Sequence, residues 1–166
     1  MNKNKHSDKH SDKHSDKLLT KEIGVSLMPT ILAIENILKT KPQTSLEPQH
    51  YFIKGVYVRT LFIPKGILVT GKIHAKEGII ILAQGSARIT NGETSLHILA
   101  PYISVDKPGV KRLLYTEADC TFITVHRTDS TDLEIIEEEL ISKTFEEFEM
   151  KTKLAKVELT AMEVMP

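Results

Sequence analysis

Tryptophan is absent from this 166-residue chain, cysteine occurs once, and aromatic residues make up only 5% of it. Single-stranded nucleic acid is held by exposed rings interleaved with basic residues, and no such interleaving is present, so a nucleic-acid partner is not expected. The lone Cys120, between Asp119 and Thr121, has no second cysteine to pair with. It reads as a buried inert thiol in a cytosolic setting. No apolar run approaches the roughly 18 to 20 residues that cross a bilayer, and no hydrophobic segment with a cleavage site follows the first basic residues. Neither a membrane nor secretion is therefore expected. Net charge is missing as well, with 22 Lys and Arg against 22 Asp and Glu.

The charges that cancel in total are unevenly placed. Between His50 and Thr128 ten basic residues stand against five acidic ones, whereas Asp132 to Glu149 holds Asp132 and seven Glu against Lys143 alone. Either the two halves screen each other, within the folded chain or across a dimer, or the basic half presents a face to an anion.

Residues Lys5 to Asp16 are three copies of Lys-His-Ser-Asp, followed by Lys17. With no large apolar residue from Asn2 to Lys17 this segment cannot bury surface, and disorder is expected. His6, His10 and His14 recur every four residues and would form a metal-binding stripe on a helix, but Ser and Asp disfavour an isolated helix of this length. Leu27, Ile31, Ile34, Ile37 and Leu38 then recur at helical spacing, with Pro29 suited to a first turn. The expected helix runs over 30–39, and a linker with Pro42 and Pro48 follows it.

From Val56 to Arg127 short β-branched runs alternate with turn residues. Val56–Ile63 is closed by Pro64-Lys65-Gly66, a turn with Pro at its second position. Ile67–His74 contains Gly71 as a bulge or close approach, Ile79–Ala83 is apolar throughout as in a strand buried on both faces, and Asn91-Gly92 is a type I′ hairpin signal. With Ser86–Thr90, Thr94–Leu99, Tyr102–Val105, Val110–Tyr115 and Cys120–His126 the set comes to about eight strands, 8 to 12 residues apart and with no helix between them. That spacing means a sandwich or closed barrel. Thr131 to Glu134 reads as a capping box opening a helix with Leu133, Ile136, Leu140 and Ile141 on one side. The chain thus divides into a tail at 1–17, a helical segment and linker at 18–49, a β-barrel at 50–128, an acidic helix at 129–150, and a tail or short edge strand at 151–166.

The run Ile63-Pro64-Lys65-Gly66, then Gly71-Lys72-Ile73-His74, Gly85, Ala100-Pro101, Lys107-Pro108-Gly109-Val110-Lys111-Arg112 and Thr124-Val125-His126 resembles small cupin-like proteins encoded by tailed bacteriophages. The preceding helix with Gly55-Val56-Tyr57-Val58-Arg59 and the helix at Thr131-Asp132-Leu133-Glu134 extend the resemblance to about two thirds of the chain. It implies an all-β core, an RmlC-like jelly-roll barrel with flanking N-terminal and C-terminal helices. It also implies a homodimer in the cytoplasm of the infected host cell, or association with the virion. Cupins hold a divalent metal with two or three histidines and a carboxylate, and the phage group carries His-x-His-x-His after Gly-Lys-Ile. Here the stretch is His74-Ala75-Lys76-Glu77-Gly78, with two of the three imidazoles missing and a lysine that would repel a metal. The second motif offers Lys111 and Arg112 in place of histidine.

Two candidate sites follow. His74, Glu77 and His126 form a two-His-one-carboxylate set with open positions for a divalent metal. His74, Lys76, Lys111, Arg112 and His126 form a ligand-binding set, in which Arg supplies a planar fork of donors and Lys a mobile charge for a phosphate or carboxylate. Strand alternation sends Lys111 and Arg112 to opposite faces. Tyr57, Tyr102 or Tyr115 could act with a histidine in acid–base chemistry, but no spacing singles one out. The leading expectation is a non-enzymatic binding module for a small anionic ligand, a nucleotide being one candidate. The alternatives are a structural or virion-associated protein, making contacts through its acidic helix and tail, and a metal-dependent cupin enzyme.

Overall fold

Pro29 stands in the first turn of α1 (Met28–Leu38), where its missing N–H is no loss, and Ile31 is the residue this helix buries. In this structure, a computed structural model, residues 28–91 and 94–164 are described, with side chains as far as Lys156. The Lys-His-Ser-Asp tail, the segment up to Leu27 and the Gly92 half of the hairpin signal lie outside the described residues. After α1 come β1 (Gln49–Ile53), β2 (Val56–Ile63), β3 (Leu68–Thr70), β4 (Ile73–His74) and β5 (Gly78–Gln84). They are followed by β6 (Ser86–Thr90), β7 (Ser95–Leu99), β8 (Tyr102–Asp106), β9 (Leu113–Thr116) and β10 (Cys120–Arg127). The chain finishes with α2 (Leu133–Leu140), β11 (Ile141–Ser142) and α3 (Phe145–Val164). Among the described residues no helix is long and apolar enough to cross a membrane.

Two antiparallel sheets face each other. One has the order β1-β2-β10-β5-β8 and the other β3-β9-β6-β7. Each sheet alternates strands from the early and late halves of the barrel segment, as two interlocked Greek keys do, and this is a jelly roll. Register fixes which side chains point inward. Tyr57 pairs with His126 and Arg59 with Thr124 across β2 and β10, Thr124 with Ile80 across β10 and β5, and Ile80 with Ser104 across β5 and β8. The core beneath these layers is Leu82, Ala87, Ile89, Ile98 and Cys120. Each large aliphatic buried there stabilises the fold by about 1.5–3 kcal/mol.

Several sequence expectations change in physical ways. β5 is not buried on both faces: Leu82 is sealed, but Ile79 on the opposite face is 40% exposed. Its apolar run therefore marks one core face and one uncovered face. The stretch 67–74 is two strands, because the Gly71 N–H bonds to the Arg112 carbonyl at 2.7 Å and His74 then pairs with Ile141 instead. Gln49–Ile53, expected as linker and strand entry, is a full edge strand on β2. The helix cap is Asp132 rather than Thr131, its carboxylate accepting from the N–H groups of Glu134 and Ile135. The acidic helix does not run unbroken: Ile141 turns to extended geometry, β11 pairs with β4, and a separate α3 then covers the stretch expected as tail or edge strand.

Candidate functional site

The barrel has one open end, and α2 lies across it. The carbonyl of Leu140 accepts from Ala75 N–H at 2.7 Å and β11 pairs with β4, so the helix is hung from the same strand that carries His74. Ile136 and Leu140 pack on Tyr57. Lys72 meets Glu137 and Lys76 meets Glu139, joining the basic barrel to the acidic helix. Charge segregation along the sequence thus becomes mutual screening within one chain.

Under α2 lies a chamber of about 380 Å³, lined by His50, Tyr57, Arg59, His74 and His126 from the barrel and by Ile136 and Glu137 from the helix. Behind it, inside the barrel, is a cavity of about 140 Å³. Arg59, Lys72, His74 and Thr124 line both spaces and form the junction between them. His50 Nδ1 and the Tyr57 hydroxyl are 2.7 Å apart, Tyr57 stacks against His126, and His126 meets His74 edge-on. Gly78 makes room for this row, since a Cβ there would lie 2.6 Å from His126 Nδ1. Deeper in, His74 Nδ1 is 3.5 Å from a carboxylate oxygen of Asp106, and Arg112 forms an ion pair with the other oxygen.

Burial governs the electrostatics. It pushes the His74 imidazole down to about 4, with His126, Arg112 and Arg59 adding repulsion, and it pushes His126 down as well, helped by Arg59. Asp106 is pushed up by burial against the pull of Arg112, and Tyr57 is pushed up mainly by burial. Both imidazoles are therefore neutral near pH 7, and the approach of His74 to Asp106 is a dipole–carboxylate contact rather than an ion pair.

Of the five residues expected to bind a ligand, the structure gathers His74, Arg112 and His126. Lys76 is held by Glu139 at the surface, and the buried Lys111 turns away to Glu35 of α1 at 3.0 Å and to the Gly71 carbonyl at 2.7 Å. Lys111 is a clamp between α1 and the barrel. The residue that sequence reasoning left out of the set is Arg59. Its side chain occupies the inward series Tyr57, Arg59, Leu61, Ile63 of β2, and an arginine in an otherwise non-ionic inward row was the available signal.

Arg59 differs from the other cations of the mouth. Lys72, Lys76, Lys111 and Arg112 each have a carboxylate partner, whereas Arg59 forms no ion pair among the described residues, and its Nε is buried with no hydrogen-bond partner. Arg59 Nε, His74 Nδ1, Ser104 Oγ and His126 Nδ1 are all buried without a hydrogen bond, and they occupy neighbouring inward layers at the open end, beside the Arg112–Asp106 ion pair. Buried polar atoms in native proteins are satisfied by protein, water or ligand, so such a group marks a place where something polar binds.

The metal expected by analogy with cupins does not suit these residues. Glu77 is exposed and lines a shallow groove with Ile79, Val105 and Val125 on the outside of the sheet, not the chambers that His74 lines. Asp106, the carboxylate that does approach His74, is engaged by Arg112, and two guanidinium groups face the imidazoles. Among the described residues no three His, Cys, Asp or Glu side chains are placed to hold a metal ion.

No family model matches the chain, and no curated protein matches it in sequence. Solved structures do resemble it. A cupin superfamily protein from Desulfitobacterium hafniense aligns at 10% identity over 54% of this chain and 83% of its own, with a TM-score of 0.46. An RmlC-like cupin family protein with a double-stranded β-helix fold, from Methanocaldococcus jannaschii, aligns at 13% identity over 57% and 91%, with a TM-score of 0.45. An uncharacterised conserved protein with a double-stranded β-helix domain, from Klebsiella pneumoniae, aligns at 15% identity over 55% and 85%, with a TM-score of 0.47. The fold is a cupin-like jelly roll flanked by helices. Strand order carries that assignment.

Proposed function

We propose that this cupin-like protein is a non-enzymatic binding module that takes a small anionic ligand at the open end of its barrel. Arg59 carries the reading: a cation with no carboxylate partner, placed where the outer chamber narrows into the barrel, beside orphaned polar atoms. A guanidinium there offers a planar fork of donors to a carboxylate or phosphate, in a setting where burial strengthens the attraction. His74, His126 and Thr124 supply neutral donors around it. A nucleotide would have to place its base and sugar in the outer chamber, whose volume falls within the usual range for small-molecule sites. On the resemblance alone, the setting we propose is the cytoplasm of a phage-infected cell.

A structural role through the acidic helix is less well supported, because Glu137 and Glu139 are already engaged by Lys72 and Lys76. A catalytic reading has one observation behind it: the 2.7 Å contact between His50 and Tyr57 puts a protonated phenol beside an imidazole in the outer chamber.

The test is calorimetric titration of the full chain with inorganic phosphate, simple carboxylates and nucleoside monophosphates, repeated on Arg59→Met. Binding of one anion class, weakened at least tenfold in the variant, is expected, with the ligand recovered chemically unchanged. Equal binding by the variant would sink the proposal, and recovery of a converted ligand would move the assignment to catalysis by Tyr57 and His50.

A further inference from the structure

The inner cavity is chemically two-ended. Its open end carries Arg59, Thr124 and the Arg112–Asp106 pair, while its far end is walled by Leu61, Ile89, Ile98, Leu114 and Phe122. Its volume of about 140 Å³ is close to that of an apolar cavity known to stay dry and admit benzene, a guest of about six heavy atoms. The charge count at the junction is equally specific. Asp106 answers Arg112 and Glu137 answers Lys72, which leaves Arg59 as a single uncompensated positive charge. A dianionic phosphate would bring one charge too many. A carboxylate brings one charge and two coplanar oxygens to match the fork.

Resting on the anion-binding reading above, we propose that the ligand is a monocarboxylate with a short branched or cyclic apolar body of about four to six heavy atoms, its carboxylate on Arg59 and its body inside the barrel. Titration of the full chain with acetate, propionate, butyrate, 3-methylbutyrate, octanoate and inorganic phosphate tests it. Affinity should rise about fourfold per added methylene up to 3-methylbutyrate, as each CH₂ leaves water, and should stop rising by octanoate. Ile98→Phe, which fills the far end, should weaken 3-methylbutyrate at least tenfold more than acetate. The series on unaltered protein stands even where a variant folds poorly. Binding of phosphate with no chain-length trend among the carboxylates would overturn the ligand class and leave the anion site standing. Failure of every anion to bind would overturn both.

Discussion

The two ends of the barrel are built from the same strands, yet they treat polar groups in opposite ways. At the closed end Thr116 is sealed, its hydroxyl donating to the Pro64 carbonyl at 2.6 Å and accepting from Ile67 N–H at 2.9 Å. Cys120, also sealed, sets its thiol 3.2 Å from the carbonyls of Ser86 and Ala118, and Gly85 at φ +92° lets the chain turn where a Cβ would lie 2.2 Å from the Asp119 carbonyl. At the open end, by contrast, Arg59, His74, Ser104 and His126 each leave a buried atom without a hydrogen bond. One end has settled its polar groups and holds the fold together. The other keeps donors and charge in reserve, as an evolved binding site does.

Changes at the closed end should act on stability and changes at the open end on binding. The largest effect is expected from Leu82→Ala, which empties a sealed position of the core and should cost about 2–5 kcal/mol in urea unfolding. Acid should act next, through the open end. His74 titrates at about 4 when folded and at 6.5 when unfolded, so as pH falls from 6.5 towards 4 the unfolded chain takes up protons that the native state refuses. About 3 kcal/mol should be lost across that window, in the same direction as the contribution of His126. Asp106, whose folded carboxyl is raised, gains protons in the native state first and opposes the loss as its own range is reached. Urea midpoints against pH should flatten in His74→Gln, and an unchanged slope in that variant would remove His74 from the account.

Thr116→Val should cost about 1–3 kcal/mol, because the Ile67 N–H and the Pro64 carbonyl lose their partner in a place water does not reach. Arg59→Met should change stability by no more than about 0.5 kcal/mol, or raise it, since it withdraws an unpaired cation from a half-buried position. A loss as large as that at Thr116 would mean that Arg59 is structural after all, and the contrast between the ends would collapse. The smallest effect belongs to Lys72→Gln, whose exposed pair with Glu137 should contribute about 0.2–1 kcal/mol, read in a double-mutant cycle with Glu137→Gln.

Much of the fold was legible in the chain. Strand β2 was read at Val56–Ile63 and β6 at Ser86–Thr90, both as observed, because Pro-Lys-Gly and Gln-Gly punctuate them locally. The helix expected at 30–39 is α1 within two residues at its start and one at its end. Elements defined by a distant partner were not legible. β11 is two residues whose strand geometry exists only because β4 lies beside them, and β1 is an edge laid along β2. Of the site, the histidines and Arg112 could be named because their residue types advertise chemistry. Arg59 was signalled only as an arginine in an otherwise non-ionic alternate row, and Ser104 and Asp106 could not be ranked above other polar residues until register placed them on inward layers.

By itself the sequence determined the alternation that makes a two-sheet barrel, the helices at either side and the charge contrast between barrel and acidic segment, since each is a local pattern of residue types. Only the tertiary structure decided which cations are neutralised. Lys72, Lys76, Lys111 and Arg112 meet carboxylates between 6 and 76 positions away along the chain, and Arg59 meets none among the described residues. Ion pairing depends on distance in space, and a linear chain does not encode that until its strands have taken their register.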